Sequence, residues 1–398
     1  MTYRMDIFWP QMTAPDIWEV QDSYRFCRKT SQRLCDSVSG IAWTDYPADA
    51  HMRQIIDGAK SDVILVVTDP EVVFSLHALI RLQKALGDGH EICAPVYNLS
   101  DYPMQQAQLS APYLNVTGYV EMSRRISEMQ TNYYSSPQSL DPSCILYRRD
   151  YLVSRFQSDG QQADVRPVQM VSSIASASAV IDPGALFHRF GNYYESERLD
   201  LVRLVPDHVR RVLDVGCARG GYGKTLKQLR PDITITGVEF NAVMAETASQ
   251  HYDHIINTPV EKADFDDVFD LVNCGDLLEH LDDPWRILRR IYHLLAPGGY
   301  LVLSVPNAGH WTVVQDLLKG KFEYIPVGLL CVSHVRWFTE ISLREALTDA
   351  GFRVELLERQ QHVPTPDGQK FIDNLCMAGY GNELSLKTNE FIVRAVKS

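Results

Sequence analysis

The sequence predicts an α/β protein of two domains, and three observations lead to this prediction. The chain has 398 residues, whereas a typical domain has roughly 150. Hydrophobic residues make up 45% of the chain and charged residues 22%, as in globular proteins that build their own cores. In the second half, short apolar runs alternate with helical patterns, which indicates a parallel sheet covered by helices on both faces. Because this pattern begins near residue 190, we expect domains at 1–190 and 191–398.

The second block carries its elements in a regular order. Strands are predicted at 211–215, 233–238, 269–274 and 300–305, and helices at 222–229, 242–251 and within 277–295. The last two predicted strands, 352–357 and 390–396, have no obvious helix between them. We therefore expect an antiparallel terminal hairpin to close the sheet. The predicted fold class of this block is a doubly wound α/β sheet.

The first block is less regular, and it also predicts an α/β domain. Apolar runs predict strands at 62–67, 91–96 and 143–147. The pattern over 72–86 predicts a helix, because apolar residues recur there at helical spacing. The residues that would share its buried face are Val72, Leu76, Leu79 and Leu86.

Charge and cysteine usage exclude several classes of function. The chain has 38 Lys and Arg against 50 Asp and Glu, which gives a net charge of −12, and neither half is basic. This argues against nucleic acid as a partner. The 8 cysteines show no CxxC or Cys/His zinc spacing, so we predict free thiols and no metal site. No signal-peptide layout is seen, and the longest apolar run, 63–67, is too short to span a membrane. We therefore expect a cytoplasmic protein without a transmembrane segment.

A glycine-rich segment at 212–225 joins a predicted strand to a predicted helix. Small residues let the backbone approach a ligand, and free N–H groups at a helix start favour an anion. A P-loop is one interpretation, but Ala218 replaces its first glycine, and Gly223-Lys224-Thr225 is expected inside the helix. A dinucleotide loop is a second interpretation, but Asp214 would then repel the pyrophosphate.

A third interpretation of the same loop is S-adenosylmethionine, which carries a sulfonium and an ammonium. Acidic groups near the loop then help binding. Asp214 can favour the amino-acid moiety, directly or through water. Glu239 ends the second predicted strand, where a carboxylate can accept hydrogen bonds from both ribose hydroxyls. Phe240 follows it and could lie against the adenine.

Several separate segments resemble the class I S-adenosylmethionine-dependent methyltransferases, and within them the branch associated with bacterial cell-surface saccharide gene clusters. They occur in the family's order and cover about half of the chain: 213–217, 237–239, 275–285, 295–299, 304–307 and 334–339. The resemblance implies a Rossmann-like sheet and S-adenosylmethionine as cofactor. The cofactor-binding residues that it implies are Tyr194, Asp214, Gly216, Cys217, Ala218, Gly220, Glu239, Phe240, Val260, Cys274 and Asp276.

The sequence also departs from the family pattern at three places. Ala218 stands at the middle glycine of the loop, a change that could narrow it. Pro259 lies near the acidic residue that the family often places against the adenine amine, so adenine recognition would fall to the backbone at Val260. Cys331 stands where the family often has an aspartate, which could alter the acceptor.

Three histidines are candidates for the base that removes a proton from the acceptor. His280 follows a strand whose end should face the methyl group, and Asp276 lies four residues before it, on the same face if the segment is a helix. Helix capping by Asp276 and Glu279 is the alternative interpretation of those carboxylates. His310 follows the next strand, and His334 lies in a segment that resembles the family's lid. Histidine suits this role because its ordinary pKa is near neutrality.

The first block resembles family 2 glycosyltransferases of the GT-A fold. Thr68-Asp69-Pro-Glu71 is similar to the acidic metal-binding motif of that family, and 141–149 and 179–188 are similar to later segments. The start of the block lacks a convincing nucleotide-binding segment. We therefore expect a degenerate or purely binding domain. Capping of the predicted helix by Asp69 is the structural alternative.

These observations predict a methyltransferase that acts on a hydroxyl of a saccharide or glycoconjugate. One alternative is a bifunctional glycosyltransferase and methyltransferase. Another is a sugar-nucleotide-binding module, without catalysis of its own, attached to a methyltransferase. The expected partners are a small-molecule or glycan acceptor and, at the first block, a nucleotide-sugar.

Overall fold

The computed structural model describes residues 4–11, 18–109, 113, 115–130, 132–158, 165–170, 179–190, 196–265 and 268–398. The chain divides into two compact units, Met1–Gly191 and Asn192–Ser398, called unit 1 and unit 2 below. Each unit builds its own hydrophobic core. Within the described residues, no helix is both long and apolar enough to cross a membrane.

Unit 1 is built on a mixed sheet. Its strands are β1 Met5–Pro10, β2 Ile41–Tyr46, β3 Val63–Val67, β4 Val72–Phe74, β5 Ile92–Tyr97, β6 Tyr134–Ser135, β7 Cys144–Arg148 and β8 Ala179–Arg189. Its helices are α1 Trp18–Cys35, α2 Met52–Gly58, α3 Leu76–Gly87, α4 Val116–Met129, α5 Arg149–Ser158 and α6 Pro167–Met170. The sheet order is β2-β1-β3-β7-β5-β8-β4, and β6 pairs with β8. β3 and β5 are both antiparallel to β7, whereas β1 is parallel to β2 and β3.

The predicted helix over 72–86 is wrong in its first turn. Val72–Phe74 forms β4, which pairs antiparallel with β8 and is fully buried. Helix α3 begins after Ser75, whose hydroxyl accepts a hydrogen bond from the amide of Ala78. Two β-branched residues and an aromatic suit a buried strand, and pairing with β8 decides the outcome over helical spacing. Asp69 therefore does not cap this helix.

Unit 2 contains a seven-stranded sheet. Its strands are β9 Arg211–Val215, β10 Thr234–Val238, β11 His254–Ile256, β12 Phe269–Gly275, β13 Leu295–Pro306, β14 Phe352–Gln361 and β15 Thr388–Lys397. Its helices are α7 Leu199–Val202, α8 Gly221–Leu229, α9 Ala242–Ala248, α10 Pro284–Leu294, α11 Trp311–Leu318, α12 Glu340–Asp349, α13 Pro366–Met377 and α14 Glu383–Lys387, with a 3-10 turn at Leu278–His280. The order is β11-β10-β9-β12-β13-β15-β14. The first five strands are parallel, and β15 is antiparallel to both of its neighbours.

This arrangement confirms an α/β Rossmann-like fold for unit 2. The strand order reverses between β9 and β12, so the C-terminal ends of these strands meet at the crevice where such sheets bind ligands. The last two strands pair as predicted, but α13 and α14 lie between them, and the terminal element is not a tight hairpin. The sequence carried the signal for α13, because Thr365 caps it and Pro366 opens its first turn.

Candidate functional site

The glycine loop of unit 2 is held against the neighbouring strand. The amides of Gly216 and Cys217 donate hydrogen bonds to the carbonyl of Val238, at 2.8 and 3.2 Å. Gly220 begins α8 with a φ of 89°, and a Cβ there would lie 3.0 Å from the backbone of Ala248. Glycine is required at this position because of both the left-handed backbone and the close approach of α9. The loop therefore keeps its backbone amides at the C-terminal edge of the sheet.

Ala218 shows why this loop usually carries a glycine. Its φ is 47°, in the left-handed region, which costs a residue with a Cβ about 1–2 kcal/mol. Its amide donates a 3.0 Å hydrogen bond to Oε2 of Glu239. The substitution is therefore accommodated in a strained backbone, and Glu239 helps to hold it.

Asp214 is engaged by the protein itself. One carboxylate oxygen accepts a hydrogen bond from the hydroxyl of Tyr252, and the other accepts from Nδ2 of Asn273 at 2.7 Å. The side chain is buried, and burial raises the pKa of Asp214 to about 6. The Tyr252 hydroxyl also accepts from the amide of Gly223, so this network ties β9 to α8. Tyr252 and Asn273 were missed at the sequence level, because nothing local links them to Asp214.

Glu239 lies just past the end of β10 and is almost fully buried. Its second oxygen, Oε1, accepts from the amide of Asn241 at 2.8 Å, and burial raises the pKa of this carboxyl. Phe240 beside it is 55% exposed. An exposed ring next to the buried carboxylate is the arrangement that the sequence predicted for a nucleoside. The Gly223-Lys224-Thr225 segment lies within α8, as expected against the P-loop interpretation.

For the remaining predicted cofactor residues, the structure shows burial but few hydrogen bonds that bear on a ligand. Cys217, Val260 and Cys274 are buried. The carbonyl of Val260 accepts a 2.6 Å hydrogen bond from Arg290, so this carbonyl already has a partner within the chain. Tyr194 lies outside the described residues.

Asp276 is the centre of an ion-pair network, and the capping interpretation is wrong for it. The 3-10 turn begins at Leu278, and Leu277 before it provides no side-chain cap. Asp276, with a φ of 49°, accepts from Nη1 of Arg198 at 2.6 Å and from Oγ of Ser304 at 2.6 Å. The expected helix face shared with His280 is also absent, because 278–280 is a single turn followed by extended backbone.

Arg198 is a residue that sequence analysis missed. Its guanidinium also pairs with Asp200 at 2.9 Å and with Glu390 at 3.0 Å. Burial raises the pKa of Glu390 to about 8, and the acidic neighbours raise that of Arg198 against its own burial. The partners come from distant parts of the sequence and meet only because β12, β13 and β15 are neighbours. No local sequence pattern predicts such an ion-pair network.

His310 has a structural role in this site. Its Nδ1 accepts from the amide of Thr312 at 3.3 Å and lies 2.8 Å from the threonine hydroxyl, so it caps α11. The side chain is fully buried, and burial lowers its pKa to about 3. The sequence placed it correctly after β13, but its Nδ1 is committed to the helix.

The structure brings together His280 and His334, which the sequence offered only as alternative candidates for the base. Their rings meet edge to face with centroids 4.7 Å apart. Burial lowers the pKa of His280 and lowers that of His334 to about 4, so both rings are neutral at pH 7. Glu279 lies beside them, with its Oε1 4.0 Å from Nε2 of His334. Three side chains with lone pairs, those of Glu279, His280 and His334, therefore lie close together just after the end of β12.

An aromatic surface extends from these histidines. Trp337 contacts His334 with centroids 5.8 Å apart, and Phe322 contacts Trp337 at 5.6 Å and Tyr324 at 5.3 Å. All three of these rings are at least a third exposed. We call Phe322, Tyr324 and Trp337 the aromatic wall. It gives the site an apolar face suited to a flat or ring-shaped acceptor.

Comparisons with known proteins agree with this geometry. Residues 187–357 match a family model described as a methyltransferase domain. A ubiquinone biosynthesis O-methyltransferase of Erwinia tasmaniensis is 31% identical over 39% of this chain and 73% of the relative. Another, from Psychrobacter arcticus, is 30% identical over 36% of this chain and 59% of the relative. A trans-aconitate 2-methyltransferase of Deinococcus radiodurans is 31% identical over 30% of this chain and 47% of the relative.

The Rossmann-like sheet and its glycine loop define the class of the protein as an α/β protein that binds a nucleoside cofactor at the strand ends. The chain belongs to the class I methyltransferases, and S-adenosylmethionine is the cofactor of unit 2. It covers less than two thirds of the length of two of the three relatives described. The relatives are named for different acceptors, so the family alone leaves the acceptor open.

Proposed function

We propose that this protein transfers a methyl group from S-adenosylmethionine to a hydroxyl of a saccharide or glycoconjugate. The observation that carries the proposal is the pairing of two neutral histidines with an exposed aromatic wall at the C-terminal end of the sheet. The histidines offer a proton acceptor. The wall offers a surface for the apolar C–H face of a sugar ring.

The cofactor would lie across the ends of β9 and β10. Glu239 would accept hydrogen bonds from the ribose hydroxyls, and Phe240 would cover the adenine. The backbone between Gly216 and Gly220 would approach the amino-acid moiety. The buried position of Glu239 supports this assignment, since a ligand hydrogen bond there is shielded from water.

The reaction would be an in-line displacement. The acceptor oxygen attacks the methyl carbon, the bond from that carbon to the sulfonium sulfur breaks, and S-adenosylhomocysteine leaves as a neutral thioether at sulfur. The hydroxyl proton passes to a base. Holding oxygen and carbon about 3 Å apart supplies much of the rate. His280 is the base that we propose, because its ring is neutral and remains partly exposed just after the end of β12.

The test is S-adenosylhomocysteine release by the full chain against sugars and nucleotide-sugars. General-base catalysis contributes about 10²–10⁴-fold, so His280→Ala should lower kcat by that factor while S-adenosylhomocysteine binding stays nearly unchanged. His293→Ala, an exposed histidine on α10, is the matched control. Turnover by His280→Ala within about fivefold of the parent would show that another group, or proximity alone, does this work.

For unit 1, we infer a domain that does not turn over nucleotide-sugars. Asp69 and Asp141 are both bound to Arg189, at 2.7 and 3.3 Å. A guanidinium therefore already neutralises the carboxylates that a divalent ion would need. This supports a degenerate or purely binding role for the segment that resembles a glycosyltransferase.

A further inference from the structure

We infer that Glu279, His280 and His334 form a binding site for a divalent transition-metal ion. One donor atom from each residue lies within 4.8 Å of the other two. Small side-chain adjustments would place each donor atom at about 2.0–2.2 Å from an ion bound between them, which is the distance that such ions require. The inference deepens the proposed function and rests on it only for its purpose: with an ion bound, the lone pair of His280 would be coordinated, and the ion would take over from the free imidazole the task of favouring the ionised acceptor hydroxyl. Binding itself can be measured without any acceptor.

The carboxyl of Glu279 gives the strongest evidence. Glu279 is 1% exposed, and neither of its side-chain oxygens has a hydrogen-bond partner among the described residues. A buried polar group without a partner costs about 1–3 kcal/mol, and more when it is charged. Protonation would not remove this cost, because the O–H would face the lone pair of Nε2 of His334 at 4.0 Å, which is beyond hydrogen-bond distance. A cation between this carboxylate and the histidines would satisfy it.

His334 is oriented as a metal ligand is. Nδ1 of His334 lies 3.2 Å from the carbonyl of Leu329. A carbonyl only accepts, so Nδ1 carries the proton and Nε2 presents a lone pair toward Glu279. A ligating histidine typically donates its second ring N–H to a carbonyl in this way. Burial lowers the pKa of His280, whereas the neighbouring Asp276 and the backbone of Ser333 favour its protonated form.

The backbone holds the three residues together. The amides of Val335 and Arg336 both donate to the carbonyl of Glu279, at 2.8 and 3.0 Å. These bonds fix the segment that carries His334 against the 3-10 turn that carries Glu279 and His280. The nearby charges of Arg198 and Asp276 are already paired with each other, so they do not compete for the site.

The donor set indicates the kind of ion. Two imidazoles and one carboxylate suit zinc, iron, cobalt or nickel better than magnesium or calcium, which prefer oxygen. Three protein ligands leave open coordination positions. Water or an acceptor oxygen could occupy them.

The experiment is a Co²⁺ titration of the full chain after removal of metal with a chelator, followed by visible absorption. We expect about one Co²⁺ per chain with d–d bands. Glu279→Gln and His334→Ala should weaken binding by more than about 100-fold, since even outer-shell changes cost 10–100-fold. His280→Ala, at a position less buried than the other two, covers the case in which the variants of Glu279 and His334 do not fold. His293→Ala should bind as the parent does.

Absence of the bands in the parent, or their persistence in all three ligand variants, would overturn the site. S-adenosylhomocysteine binding reports folding for each variant. If the metal-free protein methylates an acceptor at full rate and no Co²⁺ bands develop when the ion is added to it, the ion site is wrong and the proposed function stands. If the bands depend on the three residues but no acceptor is methylated, the ion site stands and the proposed function is wrong.

Discussion

At the scale of single residues, Glu239 is the side chain on which cofactor recognition should depend most. Glu239→Gln keeps the shape of the side chain but removes its charge, and it leaves one oxygen in place of the two that accept from the amides of Ala218 and Asn241. Loss of one charge-assisted bond is worth about 1.5–3 kcal/mol, so we expect S-adenosylhomocysteine to bind roughly 10–150-fold more weakly in calorimetry. Glu246→Gln, an exposed glutamate on α9, is the control. Equal affinity of the Glu239 variant and the parent would remove Glu239 from the cofactor site.

Asp214 should make stability depend on pH in an unusual direction. Burial raises the pKa of this carboxyl from its ordinary value near 4 to about 6 in the folded protein, so the folded state holds the proton more tightly than the unfolded chain does. Its contribution is therefore fully present below about pH 4 and is lost as the pH rises toward about 6. Asp214→Asn should abolish this part of the slope.

The measurement is the free energy of unfolding from urea titrations between pH 4 and 7, compared between the parent and Asp214→Asn. The difference isolates this carboxyl from the many other acidic groups. Parallel curves for the two proteins would mean that Asp214 titrates in the folded state as it does in the unfolded chain.

At the scale of elements, α11 depends on the side chain that caps it. His310→Ala removes the acceptor for the amide of Thr312 and should lower the free energy of unfolding by about 1 kcal/mol from the cap alone. His310→Asn places an oxygen where Nδ1 lies and should recover most of that part. Denaturant unfolding of the two variants separates the cap from the packing of the ring. If both lose the same amount, the cap contributes nothing.

The elements also show where sequence patterns succeed. The strands around the glycine loop were predicted nearly to the residue, because each is a short apolar run between clear helical patterns. β4 was predicted as a helix, because three residues cannot distinguish the two periods and pairing with β8 decides between them. α13 was missed although Thr365 and Pro366 mark its start, because only Gly368 and Ile372 of this helix are buried and its apolar stripe is weak.

At the scale of the whole molecule, the two units should differ in chemistry. We expect no manganese-dependent hydrolysis of nucleotide-sugars by the full chain, because Arg189 occupies the carboxylates of Asp69 and Asp141. Release of nucleoside diphosphate with and without Mn²⁺ is the measurement, and Asp69→Asn is the matched variant. Activity that needs Mn²⁺ and disappears in Asp69→Asn would establish a second enzyme in unit 1.

The sequence by itself determined the fold class, the cofactor loop and the position of His280 at a strand end. These depend on hydrophobic period, small residues and turn signals, which act over a few neighbouring residues. The tertiary structure alone decided that Asp276 pairs with Arg198, that His310 caps a helix, and that Glu279 is buried without a partner beside two histidines. Such contacts depend on which strands are neighbours in the sheet, and the order of strands brings together residues that no local pattern connects.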